Sequence, residues 1–160
     1  GFDERKRGGE KAAEDMIKKI NDLSITFNPQ TDIIDIVCHS MGFAYAQGMI
    51  EVFKKNKFKL GRYYIIAPEN ACSGSVNLDD FEEVWQYGSN EGPTDKGGDS
   101  IWYQDGVAPQ CAVLGLPENN RVYIFKDVKK GFVESHTIGN YGWIFKEIID
   151  GRQGFVKKRN

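Results

Sequence analysis

Four short runs rich in β-branched and aromatic residues constrain this chain most: IIDIV (33–37), LGRYYIIAP (60–68), FEEVWQYG (81–88) and RVYIFKDV (121–128). The first reads as a buried strand, and the other three are strand candidates. Segments of helical periodicity or long connections separate them. That order predicts an α/β fold with a mainly parallel sheet covered on both faces, a three-layer sandwich. A first helix is predicted over 10–23, where Ala12, Ala13, Met16, Ile17, Ile20 and Leu23 recur at steps of three and four between charged residues. NPQTD (28–32) breaks it. A second follows Ser40, with Phe43, Ala46, Gln47, Ile50 and Phe53 on helical spacing and lysines in the last turn, where positive charge suits the helix dipole. A final amphipathic helix over 141–150 is expected to turn Tyr141, Trp143, Ile144 and Ile148 toward a core.

A chain of 160 residues, 40% of them hydrophobic, is enough for one domain with a real core, so a single domain over 1–160 is expected. The 21 basic and 23 acidic residues are scattered, without the footprint of a nucleic-acid binder. No apolar run approaches the roughly 18 residues of a membrane span, and GFDERKRGGE at the N-terminus lacks a signal peptide's apolar centre, so a soluble chain is expected. Cys38, Cys72 and Cys111 show neither CxxC spacing nor a paired His. Reduced thiols fit that pattern best, with one disulfide plus one free thiol as the alternative. The connection 89–110, SNEGPTDKGGDSIWYQDGVAPQ, is Gly-rich and acidic yet carries Ile101, Trp102 and Tyr103; such length without periodicity marks a functional or mobile segment. Neither GxxxxGK nor GxGxxG follows any strand.

The stretch DIVCHSMGFA (35–44) joins the first strand to the second helix through x-H-S-x-G. That is the setting of a nucleophile elbow. A sharp turn would lift Ser40 Oγ above the sheet edge, Gly42 would let the helix pass close to the strand, and the helix N-terminus would offer N–H groups to a developing oxyanion. Serine is also a favoured helix cap, so the pattern by itself leaves both readings open.

VCHSMG resembles the elbow of the α/β-hydrolase family, in its lipase and esterase branch, with Cys38 where the family has its first Gly. The resemblance implies a triad in the order serine, acid, histidine. DGVAP (105–109) resembles the family's acid loop and implies Asp105. VESHTIGNYGWIF (133–145) sets His136 between the last strand and the last helix, the family's place for the base. Glu91, Asp95 and Asp99 lie in the same connection as Asp105 and remain competing carboxylates. His39 is expected to pack as support, and the Met41 amide to be one oxyanion donor.

The implied activity is hydrolysis of a small-molecule or lipid carboxylic ester through an acyl-enzyme, with no metal or organic cofactor. Trp102, Tyr103 and Val107 are the candidate substrate pocket, with Phe132 and Trp143 nearby; the same aromatic set also reads as plain core. The alternative is a noncatalytic hydrolase-like binding module, or a fragment of a larger protein. GFDERKRGGE resembles the strand end and turn ahead of the family's helix, so the likeness covers the C-terminal two-thirds or so of the usual fold. An N-terminal partner segment would then complete the sheet beside 33–37 and bring the second oxyanion donor, worth about 2.7–4 kcal/mol of transition-state stabilisation. Three geometric expectations follow: Ser40 in a strained backbone conformation, His136 within hydrogen-bond reach of it, and Asp105 at the far ring nitrogen.

Overall fold

The computed structural model describes residues 1–88, 105, 107–108, 111–123, 133–146 and 154. Strands β1 (Ile34–His39), β2 (Leu60–Ile66), β3 (Glu83–Gly88) and β4 (Arg121–Tyr123) pair in that order, all parallel. Cys38 stands opposite Ile65, Ile65 opposite Gln86, and Tyr87 opposite Val122. The α/β class expected from the four runs is what the chain adopts.

Alternation along the strands builds two cores. From β2, Tyr63 and Ile65 point into the larger one with Phe43, Ile50, Phe53 and Ala13, contributed by helices α1 (Phe2–Asn21) and α2 (Gly42–Lys55). Tyr64 and Ile66 point the other way, onto Tyr87, Tyr141 and Ile144, the last of these in the single turn α3 (Trp143–Lys146). A strand buried on both faces cannot show simple polar alternation, which is why LGRYYII is almost continuously apolar or aromatic. β1 forms one edge of the described sheet, and its Val37 is 52% exposed.

Three expectations are corrected. Helix α1 begins at Phe2, so GFDERKRGGE is helical and does not form a strand end and turn. The Gly8–Gly9 pair disfavours a helix by propensity, but tertiary contact overrides it. A Cβ on Gly9 would lie 1.9 Å from the Tyr45 carbonyl oxygen, and one on Gly48 would lie 1.9 Å from that of Lys6. The two glycines let the backbones of α1 and α2 touch.

Leu23 is not core: it lies past the end of α1 in a left-handed conformation, φ 67°, and is 85% exposed. The chain has already turned away at Asp22, so the helical spacing that included Leu23 no longer applies.

The cysteines are not all reduced. Cys72 and Cys111 form a disulfide, with their Cα atoms 5.8 Å apart, and Cys38 is free and buried. The pairing arises because segment 74–76 runs beside 114: Leu114 N donates to Gly74 O at 3.2 Å and Val76 N to Leu114 O at 2.9 Å. Gln86 on β3 then holds the chain on both sides of residue 112, donating to Cys111 O at 2.8 Å and accepting from Val113 N at 3.0 Å.

Among the described residues no helix is long and apolar enough to cross a membrane. The continuations expected for the fourth strand beyond 123 and the last helix beyond 146 lie outside the described residues, as do Glu91, Asp95, Asp99, Trp102, Tyr103, Phe132 and Ile148.

Candidate active site

The carboxyl ends of β1 and β2 carry three non-glycine residues in the left-handed region: Ser40 (φ 55°), Ala67 (φ 41°) and Asn70 (φ 56°). Each costs on the order of 1–3 kcal/mol and persists only where surrounding contacts over-determine it. For Ser40 those contacts are explicit. Its N–H donates to Ile66 O on β2 at 3.1 Å, and its carbonyl accepts from Phe43 N in α2 and from Glu69 N after β2, both at 3.1 Å. The turn is therefore pinned on three sides, and Ser40 stands between β1 and α2 as an elbow requires.

Gly42 does not have the role expected of it. An added Cβ would find its nearest neighbour, Cys38 Cβ, at 3.9 Å, an ordinary contact. The tight helix approach in this protein is between α1 and α2, not between α2 and β1.

His136 sits in a 3-10 turn (Glu134–His136) that brings its ring over the end of β1. Its Nε2 lies 2.7 Å from Ser40 Oγ, and its Nδ1 lies 2.7 Å from Asp105 Oδ2. A carboxylate can only accept, so Nδ1 carries the proton of the neutral ring, which leaves Nε2 free to accept from the serine hydroxyl. The other Asp105 oxygen, Oδ1, accepts from Val107 N and Ala108 N, both at 2.9 Å. The Asp105 side chain is fully buried and that of His136 is 12% exposed. A buried carboxylate is tolerable only with such partners, so the aspartate is committed to the ring and to its own turn.

Tyr141, which sequence reasoning assigned only to the core, packs close to this carboxylate. Burial first, and the Asp105 charge second, push its phenol well above the usual range. Burial also pushes the Cys38 thiol up to about 12, so the cysteine two residues before Ser40 is held neutral.

The other site candidates divide. Met41 is the N-cap residue of α2, at the end of the helix where first-turn amides have no intrahelical partner. Val107 is 50% exposed beside Asp105. Trp102 and Tyr103 belong to the undescribed connection. Met41, Val133 and Ile138 are also exposed, each within three residues of Ser40 or His136 in sequence. Glu69, whose amide braces Ser40, was not anticipated, because nothing in its local sequence points to a partner on another strand.

In comparisons with family models, with curated proteins and with solved structures, none matches this chain.

Proposed function

We propose that this chain is a serine hydrolase cleaving carboxylic esters, of lipase or esterase type, on an α/β-hydrolase-like sheet. What carries the reading is the continuous hydrogen-bonded array from Asp105 through His136 to Ser40, with the serine in a strained turn at the mouth of α2. A helix cap explains neither feature. A capping serine accepts a bond from its own helix, whereas Ser40 Oγ is engaged with a ring 96 residues away.

In this mechanism His136 Nε2 takes the Ser40 proton as Oγ attacks the ester carbonyl, and then returns it to the leaving alkoxide. Asp105 holds the tautomer and stabilises the imidazolium that forms. The tetrahedral oxyanion takes a bond from the Met41 amide, favoured by the positive end of α2. Water then enters by the same base and releases the acid. Exposed apolar residues close in sequence to the array, Met41, Val107, Val133 and Ile138, suit an acyl or otherwise apolar group on the substrate.

A fluorophosphonate probe tests the assignment. It should form one adduct, on the peptide containing Ser40, which disappears in Ser40→Ala and is strongly slowed in His136→Ala. An unreactive folded protein would favour a noncatalytic binding module.

A further inference from the structure

His39 is the residue before the nucleophile and the last residue of β1. Its Nε2 lies 2.6 Å from the backbone carbonyl oxygen of His136. The two rings sit with centroids 4.9 Å apart, tilted by 41°. A carbonyl oxygen can only accept, so His39 Nε2 carries a proton and donates it there. That nitrogen is engaged with the His136 carbonyl and not with Ser40, which removes it as a second base for the serine.

The turn that carries His136 is short, and its own main-chain bonds are local. His136 N donates to Val133 O, Thr137 N to Glu134 O and Asn140 N to Thr137 O, each at 3.0 Å. The bond from His39 reaches across 97 residues of sequence and joins this turn to the end of β1. Nucleophile and anchor are thus consecutive residues on one strand end. Ser40 Oγ meets the side chain of His136 while His39 meets its main chain, so the distance between nucleophile and base is set from a single rigid origin.

We propose that His39 is a positioning residue for His136, fixing the main chain of the base relative to Ser40 through its Nε2–H. The role rests on the serine-hydrolase reading above, in which a displacement of about 1 Å between base and nucleophile is enough to cost on the order of 10²-fold in turnover.

The test compares the wild type with His39→Gln, whose amide nitrogen reaches the position of Nε2; His39→Phe, which keeps a ring and loses the donor; and His39→Asn, whose amide is too short to reach the carbonyl. With a p-nitrophenyl ester, His39→Phe and His39→Asn should lose roughly 10- to 100-fold in kcat with KM little changed, and His39→Gln should recover most of the loss. Wild-type kcat in His39→Phe, or a His39→Gln as impaired as the other two, would overturn the role. If His39→Phe does not fold, His39→Asn carries the comparison.

A readout that needs no turnover separates this proposal from the one beneath it. The His136 Nδ1 proton, shared with Asp105, should give a downfield proton NMR line that is sharp in the wild type and His39→Gln and broadened or lost in His39→Phe and His39→Asn. An unchanged line in those two variants overturns the positioning role. Absence of both turnover and a Ser40 adduct in the wild type would instead sink the hydrolase reading, and the NMR line would still decide whether His39 holds the ring in place.

Discussion

Asp105 gives one carboxylate oxygen to the His136 ring at 2.7 Å and the other to the Val107 and Ala108 amides at 2.9 Å. Asp105→Asn can keep the second set of bonds, since its amide oxygen still accepts from the backbone. It then presents an NH2 to Nδ1 and forces the imidazole into the wrong tautomer. Ester kcat should fall by as much as about 10⁴, with the circular dichroism spectrum unchanged, the order expected when a triad acid is made neutral. Activity that survived this change but vanished on altering Glu91, Asp95 or Asp99 would move the acid to that residue.

The strain at Ser40 predicts a trade between stability and activity. Both Ser40→Ala and Ser40→Gly remove the hydroxyl, but only glycine relieves a φ of 55°. Ser40→Gly should therefore be more stable than Ser40→Ala by about 1 kcal/mol in thermal or urea unfolding, both being inactive. Equal stability would mean the turn is not strained as described.

Close approach of α1 and α2 makes Gly48 intolerant of a side chain. In Gly48→Ala the Cβ would meet the Lys6 carbonyl at 1.9 Å and push the helices apart. The variant should lose about 1–3 kcal/mol despite alanine's better helix propensity. Gly42→Ala, with its nearest contact at 3.9 Å, should fold as the wild type does. Urea denaturation of the pair distinguishes them.

Thiol chemistry should follow the burial of Cys38 and the Cys72–Cys111 bond. With its thiol held at about 12 by burial, Cys38 should resist iodoacetamide at pH 8 in the folded protein, since the reactive thiolate is scarce and enclosed. Mass spectrometry should find one alkylated cysteine after denaturation and all three after denaturation with reductant. Cys72→Ser with Cys111→Ser should cost about 2–4 kcal/mol, the usual range for losing a native bridge. Labelling of Cys38 in the native state would contradict its burial.

What could be read from sequence depended on how local the cause was. Strands β1 to β3 and helix α2 announce themselves because alternation and helical spacing act over a few residues. The start of α1 was hidden because Gly8 and Gly9 look like breakers until α2 lies against them. The cysteine pairing was hidden for the same reason: it depends on Ser75 and Leu114 meeting as a bridge, which no spacing rule encodes. Within the site, strand, x-H-S-x-G and helix single out Ser40 but leave open whether it is a nucleophile or a helix cap. Asp105 and His136 needed the order of elements that the hydrolase resemblance supplied, since neither has a local signature. The bond from His39 to the His136 carbonyl could not be read at all, because a main-chain acceptor leaves no mark on the sequence.

The central claim is that Ser40 becomes acylated. Intact-protein and peptide mass spectrometry on the protein mixed with a short-chain p-nitrophenyl ester, quenched in acid during the first turnovers, tests it most directly. A burst of nitrophenol and a mass increase of one acyl group on the peptide containing Ser40 are expected, both absent in Ser40→Ala. Turnover without that adduct, or an adduct that persists in Ser40→Ala, would contradict it.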